Sequence, residues 1–114
     1  MQEISDIVAQ HAARNQELVA LISRKGGNLQ IERTVDLHFW AFNETDATGL
    51  AEALRARGLS NVISRVSAKD PAVWNVEGQV VGSVLQVTEA RFVEELARVA
   101  VAHNADFDGW GTSL

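Results

Sequence analysis

The 114-residue sequence has no cysteine. That excludes a disulfide framework, a thiolate metal site and a cysteine nucleophile, and it fits a reducing compartment. No apolar run approaches the ~20 residues a membrane helix needs. The N-terminus carries Glu3 and Asp6 where a signal peptide would carry basic residues. A cytoplasmic protein is the expectation. Positive charge is also scarce, with 10 Lys and Arg against 15 Asp and Glu and a formal net charge of −5. In residues 1–27, Arg14, Arg24 and Lys25 cancel Glu3, Asp6 and Glu17, so the whole deficit lies in residues 28–114. An acidic domain of this kind is unsuited to a phosphate backbone, which requires clustered Lys and Arg, and direct nucleic-acid binding is not expected. It suits a basic protein partner.

The length fits a single domain over residues 1–114, large enough for one hydrophobic core without staples. Ile4, Ile7, Val8, His11, Leu18, Leu21 and Ile22 recur at helical spacing, with a polar gap at Arg14 and Asn15. Arg24 and Lys25 suit a helix C-terminus, and Gly26-Gly27 stops it. Residues 1–27 therefore read as an N-terminal amphipathic helix and residues 28–114 as the core.

From Ile31 to Phe42 the period changes to two. Ile31, Val35, Leu37, Phe39 and Ala41 share one face; Glu32, Thr34, Asp36, His38, Trp40 and Phe42 share the other. Asn43 to Asp46 offers helix caps, Ala47, Leu50, Ala51 and Leu54 an apolar stripe, and Gly58 a stop. A short strand around Val62, Ser64 and Val66 leads to a turn at Lys69-Asp70-Pro71. Val73 to Leu85 reads as a third strand, interrupted by a bulge or bend near Gly78 and Gly82. Thr88 is the expected N-cap of a helix through Phe92, Leu96, Val99, Ala100 and His103, and Asn104 its left-handed exit. Ala105 to Asp108 opens a last strand. The order strand-helix-strand-strand-helix-strand predicts an α+β fold of the ferredoxin-like kind, a four-stranded antiparallel sheet with first and last strands adjacent and an extra N-terminal helix.

In that fold Asp36, His38 and Trp40 lie near Asp106 and Asp108, on the sheet face turned away from the two core helices. One reading is a partner-docking surface anchored by an aromatic. The other has Trp40 and Phe42 packed beneath the N-terminal helix and the acids merely solvated. A metal site from His38 and the three aspartates matches no ligand spacing, so neither metal nor cofactor is expected. His11 and His103 read as satisfied boundary histidines. Ser64, Ser67 and Ser83 lack the context of a nucleophile, and Asp106 and Asp108 sit two apart on one strand rather than across a cleft. An enzyme is not expected.

The ending Asp106-Phe107-Asp108-Gly109-Trp110-Gly111-Thr112 resembles the (E/D)-(Y/F)-D-G-W-G-T ending of the regulator of ribonuclease E activity B family. Phe39-Trp40-Ala41-Phe42 followed by an acid-rich helix start is similar to that family's first strand and helix. The resemblance implies a non-enzymatic bacterial inhibitor that binds ribonuclease E, or an enzyme like it, by protein–protein contact. It carries over only onto Asp106, Asp108, Gly109, Trp110 and Gly111, of which Gly109, Trp110 and Gly111 are expected to serve the fold. The best-known members continue into a strongly acidic tail, whereas this sequence ends at Leu114; weaker or different engagement of a basic ribonuclease is the corresponding expectation. Two further functions suit the residues alone: a ligand-binding ferredoxin-like domain, and a toxin-neutralising protein with an unrelated partner.

Overall fold

The computed structural model describes residues 3–112. Its elements are α1 (Ile4–Arg24), β1 (Arg33–Ala41), α2 (Glu44–Ala56), β2 (Ser60–Val66), β3 (Trp74–Gly82), α3 (Val84–Val87), α4 (Ala90–Ala102) and β4 (Asp106–Thr112). The four strands form one antiparallel sheet in the order β2-β3-β1-β4. The first and last strands are neighbours, as the element order predicts, and β4 is an edge. The architecture is α+β. No helix among the described residues is long and apolar enough to cross a membrane.

The alternation of β1 fixes which face is inside. Val35, Leu37, Phe39 and Ala41 are fully buried, and they join one core with Ala47, Leu50 and Leu54 of α2 and Val93, Leu96 and Ala100 of α4. Each large apolar side chain so buried contributes about 1.5–3 kcal/mol relative to exposure. A one-residue slip would exchange them for Asp36, His38 and Trp40, so the register is strongly specified. Asn43 caps α2 by accepting from the Asp46 amide at 2.8 Å, a contact worth about 0.5–2 kcal/mol. Asn104 leaves α4 at φ 54°, the left-handed exit expected of it.

Elsewhere the structure corrects the sequence reading. The third strand ends at Gly82, and residues 84–87 form a single helical turn. The reason is a capping box: Ser83 accepts from the Gln86 amide while the Gln86 side chain accepts from the Ser83 amide, and this local pairing outcompetes the extended preference of Val84 and Leu85. Thr88 is not the N-cap of α4. Its hydroxyl donates back to the Val84 carbonyl at 2.8 Å, closing α3, and Glu89 takes the N-cap position without a side-chain cap. Of the two points where the third strand was expected to be interrupted, Gly82 ends it, and opposite Gly78 the extra residue lies on β2, between Ser60 and Ile63, where Asn61 has φ 50°. Gly78 makes room for that neighbour: a Cβ there would stand 2.7 Å from Leu59 Cδ2. β1 starts at Arg33 rather than Ile31, which is half exposed.

α1 does not lie over the open sheet face. It packs beside α4 along the outer edge of β4. Its buried residues are His11, Asn15 and Ile22, with Val8 packed against the core. Leu18 and Leu21, expected inside, are 38% and 42% exposed. The helix is rotated so that its polar residues meet the strand.

Candidate functional site

The face of the sheet opposite α2 and α4 is open. Across β3, β1 and β4 its rows run Gln79–Asp36–Gly111, then Glu77–His38–Gly109, then Asn75–Trp40–Asp106. Asp36, His38, Trp40 and Asp106 are thus brought together as the sequence indicates. Trp40 and Phe42 are not packed beneath a helix; Trp40 is partly exposed and Phe42 51% exposed. Asp108 falls in a register shift, because His38 pairs with Gly109 while Phe39 pairs with Phe107. One extra residue on β4 at that point is a β-bulge. Gly109 takes φ 138° there, a conformation that disfavours any side chain.

The open face is polar and largely linked. Asp36 accepts from the Gln79 side chain at 2.8 Å, and Gln79 in turn accepts from Asn61 at 2.6 Å. Glu77 lies 3.5 Å from His38 Nδ1 and 3.6 Å from the Arg65 guanidinium. Asp106 and Asp108 are both exposed, and among the described residues neither carboxylate makes an ion pair or a side-chain hydrogen bond. The β3 contribution was missed from sequence. The signal was available, since an antiparallel β3 with Val76 inside must turn Asn75, Glu77 and Gln79 outward. Among the described residues no group of three or more His, Asp or Glu side chains is placed to hold a metal ion.

A second polar region joins α1 to the free edge of β4. His11 Nε2 donates to the Phe107 carbonyl at 2.9 Å, and its ring stacks on Phe107 with centroids 4.6 Å apart. Arg14 donates to the Asp108 carbonyl at 2.8 Å. Trp110 Nε1 donates to Asn15 Oδ1 at 2.8 Å. Two clefts of about 200 Å³ flank this seam, one toward His38 and Trp110 and the other toward α4. Side chains from the helix thus satisfy the outward carbonyls that an edge strand would otherwise leave open.

Burial pushes the His11 pKa below its ordinary value of 6.5, and the Arg14 charge pushes the same way, against the raising effects of the Phe107 carbonyl and Asp108. The neutral ring donates from Nε2, leaving Nδ1 to accept from Arg14 at 3.3 Å. A base with a lowered folded pKa favours the folded state most fully above its unfolded pKa. That contribution falls as pH drops through 6.5 toward the folded value and then levels off. The melting temperature should therefore fall between about pH 7.5 and about pH 5.5, and His11→Gln should flatten that slope. An unchanged slope in the variant would show that His11 does not couple α1 to pH.

Fold and site together define a small acidic α+β domain with an uncovered polar sheet face and an edge strand sealed by a helix. The family model described as "Regulator of ribonuclease activity B" matches residues 12–112, nearly the whole chain. The chain belongs to that family, whose members are regulators of ribonuclease activity. No curated protein matches the chain closely enough to be reported as a relative.

Proposed function

We propose that this protein, acting as a single domain over residues 1–114, binds a ribonuclease E-like endoribonuclease and restrains its cleavage of RNA without itself performing chemistry. The observation that carries the reading is the open sheet face, where Asp36, His38 and Trp40 stand beside Asp106, with α1 reaching only its β4 border near the bulged Asp108. Family membership supplies the class of partner. The net charge of −5 supplies the sign of its surface, because an RNA-cleaving enzyme presents basic side chains to its substrate. Trp40 and the half-exposed Phe42 provide apolar anchors between the acids. We read the sheet as ferredoxin-like, supported by the placement of β1 between β3 and β4. Gly109 and Gly111 keep β4 bare beside His38 and Asp36, and Trp110 ties the strand to α1.

The purified protein should slow cleavage of a labelled RNA by a ribonuclease E-like enzyme in proportion to the fraction of enzyme bound. Equal cleavage rates at saturating protein would sink the regulatory reading.

A further inference from the structure

The outward face of α1 carries a stripe that no other element of the described fold covers. Glu17, Ala20, Leu21 and Arg24 stand at i, i+3, i+4 and i+7, so they follow one face of the helix over two turns. All four are exposed. Leu21 is 42% exposed, and Leu18, one turn away on the border of the stripe, is 38% exposed. Together they line a shallow groove. The helix buries His11, Asn15 and Ile22 on its other side, so the fold does not use this stripe. Among the described residues, neither Glu17 nor Arg24 makes an ion pair or a side-chain hydrogen bond.

The order of the stripe selects its occupant. Along the helix it runs acid, small, apolar, base. Backwards it runs base, apolar, small, acid. A second α1 laid antiparallel across it therefore complements it at every position. A twofold axis between Ala20 and Leu21 sets Leu21 of each copy over Ala20 of the other, and Glu17 of each against Arg24 of the other. Ala20 leaves the notch that receives Leu21 and lets the helix axes approach to about 8 Å. The same axis sets Lys25 opposite Gln16 and Arg14 opposite Gly27, so no like charges meet. Net charge points the same way. Copies of a chain of charge −5 repel, but in residues 1–27 Arg14, Arg24 and Lys25 balance Glu3, Asp6 and Glu17, so α1 is where two copies meet with least repulsion. We propose that two copies of this chain associate through α1 as an antiparallel, isologous dimer. One helix against one helix buries less than the ~1,200 Å² of a stable interface, so the dimer is weak and forms as concentration rises. It uses neither the open sheet face nor a ribonuclease, and it stands or falls without them.

The test is sedimentation velocity of the full chain between about 10 µM and about 1 mM, the range of a weak contact. The expected result is a sedimentation coefficient that climbs with concentration from monomer toward dimer. Glu17→Arg and Arg24→Glu should each weaken association about tenfold or more, because both cross-pairs become like charges. Glu17→Arg also makes the chain less acidic, so a general effect of net charge would strengthen association instead. An equimolar mixture of the two variants should associate as the wild type does, since one copy then presents two bases to the two acids of the other. Both positions are exposed, so the variants should stay folded, and circular dichroism checks this directly. Three results would overturn the proposal: a monomer at every concentration, association indifferent to both single variants, or association lost in both and not recovered in the mixture. The second would place the contact on another surface.

Discussion

Truncating Phe107 to alanine should cost about 3–5 kcal/mol of folding stability, a loss comparable to the whole margin of a weakly stable domain. Phe107 is 7% exposed near the start of β4. Its ring lies 5.0 Å from that of Phe39, which is fully buried at the centre of the sheet. On its other side it stacks against His11, with the planes only 19° apart. One side chain thus joins the sheet, the core and α1, and its removal leaves a cavity that three elements cannot all close. The ring also supports the helix whose His11 bonds the same residue's carbonyl, so α1 should loosen along with the core. Denaturant unfolding gives the first effect, and amide exchange along α1 gives the second. Val66→Ala at a 46% exposed position is the control, expected within about 0.5 kcal/mol of wild type. A Phe107→Ala loss below about 1 kcal/mol would contradict this account of how β4 and α1 are held.

Reversing two charges should have the largest effect on function. Asp106→Lys with Asp108→Lys is expected to weaken ribonuclease binding about tenfold to a hundredfold while leaving the melting temperature nearly unchanged. Both side chains are exposed and make no ion pair among the described residues, so the fold loses little when they change. Binding loses an attraction and gains a repulsion at each position, and 1.4 kcal/mol of that sum is a factor of ten. Asp36 is a poorer choice for this experiment because its carboxylate holds Gln79 at 2.8 Å. Glu52→Lys, on an exposed position of α2, separates a local docking surface from a general effect of net charge. Equal weakening by that control would remove the sheet face as the docking surface.

The open face was legible because β1 alternates without interruption from Val35 to Ala41, and a one-residue slip would turn Leu37 and Phe39 out together. Its pairing with β4 followed from the element order, and Asp106 accordingly stands opposite Trp40. The seat of α1 was not legible. Helical spacing favours Leu18 and Leu21 as the inward residues, yet the structure turns Asn15 inward because the Trp110 indole needs an acceptor. That requirement arises only once residues 95 positions apart meet, and no local pattern encodes it. The bulge at Asp108 was hidden for a similar reason. Asp108-Gly109 is compatible with a regular strand or a bulge, and the choice depends on Arg14 drawing the Asp108 carbonyl outward. At Ser83 the signal is local: Ser83 and Gln86 have capping-box spacing, and their reciprocal hydrogen bonds prevail over the extended preference of the apolar run through Leu85.

Calorimetric titration of the protein into a ribonuclease E-like enzyme, at about 50 mM and about 300 mM salt, tests the central claim most directly. The screening length falls from about 14 Å to about 6 Å over that range, so docking through exposed acids must weaken. The account predicts saturable binding that loses affinity severalfold at the higher salt and is weakened by the Asp106 and Asp108 reversals. Binding indifferent to both salt and reversal, or no binding at high micromolar concentration, would contradict it.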